Sequence, residues 1–133
     1  MSNDSRNRLF IKKIEIQNCG RFHGSGHEIL FSDLPDKNIT IIYGDSGRGK
    51  STIHELIYWC LYGKHKKHQE DEKQGLDYGL LNVDALENLK VGESVTGSVM
   101  LSLWDDAGEK YLLTRQLKAT LLRESDKRDY NSL

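Results

Sequence analysis

Only one proline and two cysteines occur in the sequence, and no apolar run approaches the ~18–20 residues needed to span a bilayer. The scarcity of proline, with no repeat or biased tract, excludes a proline-rich linker. Cys19 and Cys60 lie far apart and match no metal-ligand spacing, so they read as free thiols rather than as a disulfide scaffold or zinc module. The polar start MSNDSRNR has no apolar signal core, so a cytoplasmic protein without a membrane partner is expected. An excess of one charge is missing too. Residues 1–68 hold 11 Lys/Arg and 7 Asp/Glu (+4), residues 69–133 hold 8 and 13 (−5), and the sum is −1. So modest an imbalance gives no diffuse nucleic-acid footprint.

What is present is one domain's worth of chain, 133 residues. Its 37% hydrophobic content lies below the usual ~45–50%, yet six Tyr, three Phe and two Trp argue against wholesale disorder. Residues 1–8 are polar and predict a disordered tail, leaving 9–133 as the folded unit. Residues 9–17 shift into alternation at Ile14 and Ile16, the mark of a strand with one covered face. Glycines make 18–26 a loop, 28–31 reads as a short strand, and 32–37 as a turn. Asn38 to Tyr43 is β-branched and almost continuously apolar, which predicts a strand buried on both faces.

Beyond Gly49 the period changes. Ile53, Leu56, Ile57, Cys60 and Leu61 fall at i, i+3, i+4, i+7 and i+8, one helical face, with Gly63 as terminator. Residues 64–74 carry charged and imidazole side chains and no apolar one, hence a solvated loop. Residues 75–89 read as weakly helical or irregular, with Leu76, Leu80, Leu81, Val83, Leu86 and Leu89 as buried candidates. Residues 94–104 and 111–117 alternate around the turn 105–109 and predict a β-hairpin, with one more short strand near 120–122.

The chemistry is carried by Gly44-Asp45-Ser46-Gly47-Arg48-Gly49-Lys50-Ser51, followed by Thr52, which satisfies the phosphate-loop pattern G-x-x-x-x-G-K-[ST] in full. Glycines at 44, 47 and 49 allow backbone conformations in which successive N–H groups turn inward around phosphates. Lys50 supplies a point charge between β- and γ-phosphates, and the Ser51 hydroxyl serves the magnesium ion that ATP brings. The helix that starts here adds unpaired N–H groups and a positive dipole end.

Phosphoryl transfer also needs a second carboxylate for the metal and a group that orients water. Residues 99–106 resemble an apolar strand ending in two acids, but Ser102 breaks the apolar run and Asp105 and Asp106 stand where a hairpin turn wants them. Nucleotide binding without unaided turnover is therefore expected. His54 reads as a packed or surface histidine, and Trp59 and Trp104 as core or shielding residues.

These residues, from Ile14-Glu15-Ile16-Gln17-Asn18-Cys19-Gly20-Arg21-Phe22 through the phosphate loop to Glu55-Leu56-Ile57-Tyr58-Trp59-Cys60-Leu61-Tyr62-Gly63, resemble the N-terminal lobe of SbcC-type ATPases of the ABC class. The hairpin ending Tyr111-Leu112-Leu113-Thr114-Arg115 strengthens a likeness to the DndD sub-branch of DNA phosphorothioation and phage-defence ATPases. The resemblance implies an α/β P-loop NTPase fold with a mixed sheet and an antiparallel hairpin, binding ATP and Mg2+. It implies hydrolysis only with a C-terminal lobe and a second head in a homodimer, with DNA and nuclease or modification-system subunits as partners. It places Arg21 at the base or ribose, although the family's basic residue more often stands one position earlier, where this chain has Gly20, and it puts Ser46 where the family more often has Asn. No heptad run, Q-loop or second-lobe motif follows, so the chain reads as a lobe ending before the Q-loop. Two other readings remain: a lobe-only regulator of a longer ATPase, and a small stand-alone kinase or GTPase, for which no N-K-x-D or Arg-rich lid is found.

Overall fold

The computed structural model describes residues 8–32, 36–37, 39–44, 50–63, 80–124 and 128–132. Alternating side chains build a five-stranded sheet. β1 (Leu9–Gln17) pairs on one side with β2 (His27–Leu30) and on the other with β3 (Ser94–Asp105). Next come β4 (Lys110–Glu124) and β5 (Arg128–Ser132), giving the order β2-β1-β3-β4-β5, antiparallel throughout. The registers Ile14↔Leu101, Ile16↔Val99 and Gly97↔Leu117 put one apolar residue of every pair on the same face.

That face is covered by α1 (Lys50–Tyr62), whose Ile53, Leu56, Trp59 and Cys60 are buried against it. Leu80, Leu81 and the short helix α2 (Val83–Glu87), through Ala85 and Leu86, close the core. Gly63, at φ +71°, ends α1 in the left-handed region, and its N–H donates to the Trp59 carbonyl at 2.7 Å. Arg115 of β4 donates from Nε to the Cys60 carbonyl at 3.2 Å, placing a cation at the negative end of the helix.

Both thiols are free and buried, as expected from the sequence. Burial pushes the Cys19 thiol up from its ordinary 9.0 to about 12. Burial also raises Cys60, partly offset by Arg115. Because the folded thiols stay protonated where the unfolded ones ionise, the folded state holds more protons and loses stability as pH rises through 9. Stability is expected to fall toward pH 11 by up to ~1.4 kcal/mol per pH unit for Cys19. Urea midpoints at successive pH values check this against a Cys19→Ala variant, which should lose that part of the slope. Equal slopes would refute it.

Four expectations are corrected. Residues 39–44 form no strand: Ile39 is 79% and Ile41 76% exposed, and Tyr43 is exposed as well, so the segment is not buried on both faces. Apolar β-branched composition favours extension but does not supply a neighbouring strand, and the sheet of the described residues does not include this segment. In consequence the sheet is antiparallel rather than mixed. The hairpin's return strand does not stop at 117, because Ala119 and Leu121 keep the inward alternation and carry β4 through 120–122, while β5 lies in the tail. Val83 is 60% exposed, since it opens α2 on the side away from the core. The expected tail 1–7, the loop 64–74 and Leu76 lie outside the described residues.

Candidate functional site

The first turn of α1 is the anchor of the site. Lys50 opens the helix, Ser51 is exposed and Thr52 half-buried, and no acidic side chain occupies that turn. The positive end of the helix therefore has no carboxylate of its own first turn competing for it. Gly44 lies exposed just before it, while Asp45, Ser46, Gly47, Arg48 and Gly49 lie outside the described residues.

A second element converges on the same turn. After β1 the chain folds back on itself: Asn18 donates its backbone N–H to the Gly24 carbonyl at 3.0 Å, and its Oδ1 accepts from Gly24 N at 2.7 Å. Inside this closed loop, Phe22 N–H donates to the Cys19 carbonyl at 2.9 Å, so residues 19–22 form a tight turn. Gly20, at φ +56°, sits against α1 so closely that a Cβ there would lie 2.1 Å from Thr52 Cγ2. A Cβ at 20 would force Thr52 to shift, which favours glycine there. Arg21 is exposed in this turn, one residue from the contact with α1. Arg21 thus follows directly on the residue that packs against Thr52.

Asn82, only 4% exposed, is a component the sequence reading passed over. Its backbone N–H donates to the Asn18 carbonyl at 2.9 Å, its Nδ2 donates to the Gly20 carbonyl at 3.0 Å, and its Oδ1 accepts from Ala85 N at 3.0 Å. Gly20 N–H in turn donates to the Leu80 carbonyl at 2.8 Å. The readable signal was an Asn immediately before a short helical run, an N-cap. Gly97 of β3 is the other: a Cβ there would meet Leu81 Cδ2 at 2.4 Å and Cys19 Sγ at 2.8 Å, so only glycine lets the loop cross the strand.

The two hairpin acids are not a metal-holding pair. Asp105 Oδ1 accepts from Ala107 N and Glu109 N, both at 2.9 Å, and Oδ2 accepts from the Tyr111 hydroxyl at 2.9 Å. Burial pushes this carboxyl upward, but the bonds from Glu109, Tyr111, Ala107 and Gly108 outweigh it and leave it below the usual range. Asp106 Oδ2 accepts from Arg8 N at 3.1 Å. Asp105 thus serves the turn, as its sequence context suggested, while Asp106 ties the start of β1 to it.

The sheet's other face holds an open cleft of about 270 Å³, lined by Glu15, Gln17, His27, Glu28, Met100 and Thr114 among others. Among the described residues, Gly44, Lys50 and Ser51 do not line it. On the same face Trp104 is bracketed by Lys12 Nζ at 3.8 Å and Lys110 Nζ at 4.9 Å from its ring centre, which shields the indole rather than burying it. Trp59 lies in the core and His54 on the helix surface, both as read from sequence. Among the described residues no cluster of three His, Cys, Asp or Glu fits a metal ion, and no helix is long and apolar enough to cross a membrane.

A family model described as an AAA domain, of the SMC/SbcC-like class of ATPases, matches residues 13–132. No curated protein matches the chain.

Proposed function

We propose, from the premise that the chain belongs to the AAA domain family of SMC/SbcC-like ATPases, that it is the ATP- and magnesium-binding N-terminal lobe of such an ATPase. The observation that carries the reading is the convergence of the Gly20–Arg21 turn on the first turn of α1, directly behind the phosphate-loop sequence GDSGRGKS. The residues present fit the nucleotide: a helix start with no acid in its first turn, a lysine and a serine at its first two positions, and a close-packed glycine that leaves Arg21 facing outward. Lys50 neutralises β- and γ-phosphate charge, Ser51 offers a hydroxyl to magnesium, and Arg21 lies at the base or ribose. ATP bound there supplies the transferable phosphoryl group.

Hydrolysis in this reading requires groups from elsewhere, because Asp105 is committed to the hairpin turn and Asp106 accepts from the Arg8 backbone. A C-terminal lobe and a second head supply them. The exposed apolar segment 39–43 favours such completion: Ile39, Ile41 and Tyr43 are more than 70% exposed, and an added lobe that pairs with this segment covers them. The role is in DNA repair, DNA modification of the DndD type or phage defence, with DNA as the polymer the heads act on and nuclease or modification subunits as partners. A lobe-only regulator inserting into another ATPase would use the same exposed segment.

Calorimetric titration of MgATP into the intact protein is expected to give one site per chain, with competition by ADP and none by free adenosine at equal concentration. Absence of any ATP heat or competition refutes the reading.

A further inference from the structure

The hydrogen bonds of Asn82 serve two different purposes. The Oδ1 bond to Ala85 N caps α2, an ordinary structural duty. The Nδ2 bond to the Gly20 carbonyl reaches across 62 residues and ends on the backbone of the turn that presents Arg21. The backbone bonds Asn82 N to Asn18 O and Gly20 N to Leu80 O clamp the same turn from the same side, while Thr52 of α1 meets Gly20. Gly20 is thus held between Asn82 and α1, in addition to the loop's own bonds.

We propose that Asn82 is a positioning residue of the nucleotide site, holding the Arg21 turn at the distance from α1 that lets Arg21 reach the nucleoside part of ATP. The inference rests on the nucleotide-binding reading above and extends it to a residue outside the phosphate-loop motif. A buried side-chain amide spent on the carbonyl of a surface turn is costly unless it is paired, so its removal frees that turn before it disturbs the core. Arg21 acts on base or ribose and the phosphate loop on the phosphates, so loss of the brace weakens the first contact and spares the second.

The test uses Asn82→Asp and Asn82→Ser in the intact protein, because both keep a capping oxygen for Ala85 and neither can donate an amide N–H to Gly20. ATP affinity is expected to fall roughly five- to tenfold, the scale of one lost hydrogen bond, while the affinity for inorganic tripolyphosphate stays level. Arg21→Ala is expected to give the same pattern, and Arg21→Ala combined with Asn82→Asp is expected to be no worse than Arg21→Ala alone. Equal losses for ATP and tripolyphosphate, no loss for either, or additive losses in the double variant overturn the proposal. Two poorly folded variants would make Asn82 a purely structural residue and overturn it too. A wild-type protein that binds no ATP overturns the nucleotide reading itself, which a defect confined to the variants does not.

Discussion

Replacing Lys50 by alanine is expected to lower MgATP affinity about a hundredfold or more without lowering the stability of the nucleotide-free protein. The first half follows from charge. A lysine in the phosphate loop makes charge-assisted contacts worth ~1.5–3 kcal/mol, and each ~1.4 kcal/mol is tenfold in affinity. The second half follows from where the structure puts it. Lys50 opens α1, and a cationic residue in the first turn of a helix is unfavourable by ~0.3–1 kcal/mol. Removing it is neutral to slightly stabilising when no phosphate is present. Calorimetry for binding and thermal melts without nucleotide read the two halves separately. Lys50→Arg should also bind poorly, since a planar fork does not replace a point charge between two phosphates. Unaltered ATP affinity in Lys50→Ala would remove the phosphate loop from the site.

The pattern of that separation shows what a sequence carries. β1, α1 and the β3–β4 hairpin were legible because each buries one face of a regular element, and a period of 2 or 3.6 is a local property. The phosphate-loop pattern is a local spacing of glycine, lysine and serine as well, and its residues 45–49 lie outside the described residues. Residues 39–44 misled because their composition reports a preference for burial, while whether a neighbouring strand exists is a property of the rest of the fold. Asn82 and Gly97 were illegible for the same reason in reverse. Nothing adjacent to Asn82 in sequence reveals Gly20 on its far side, and Gly97 sits inside an alternating strand where its lack of Cβ matters only because Leu81 and Cys19 arrive from other segments. The contact of Gly20 with Thr52 belongs with these, because α1 reaches that loop only in the folded chain.

Leu56→Ala is expected to destabilise the protein by ~3–5 kcal/mol, which is a large share of the ~5–15 kcal/mol that holds a domain of this size together. Leu56 is fully buried at the middle of α1, between Ile53 and Trp59 and Cys60 on the helix and Ile14, Val99 and Leu101 in the same core on the sheet. Close-packed neighbours on both sides leave little room for collapse into the cavity, which places the cost toward the upper part of the range. The melting midpoint should fall by roughly 10–20 °C. His54→Ala, on the exposed side of the same helix, should stay within ~0.5 kcal/mol. The two positions also separate packing from site geometry. α1 carries Ser51 and Thr52 at one end, and Thr52 is the surface on which the Gly20–Arg21 turn rests, so a helix seated less firmly on β3 and β4 lets that turn drift. ATP affinity should therefore weaken in Leu56→Ala even at temperatures where circular dichroism shows the protein folded, while His54→Ala leaves it unchanged. A Leu56→Ala protein with wild-type melting would contradict the packing of α1 on the sheet, and one with lowered melting but wild-type ATP affinity would uncouple the helix's seating from the site.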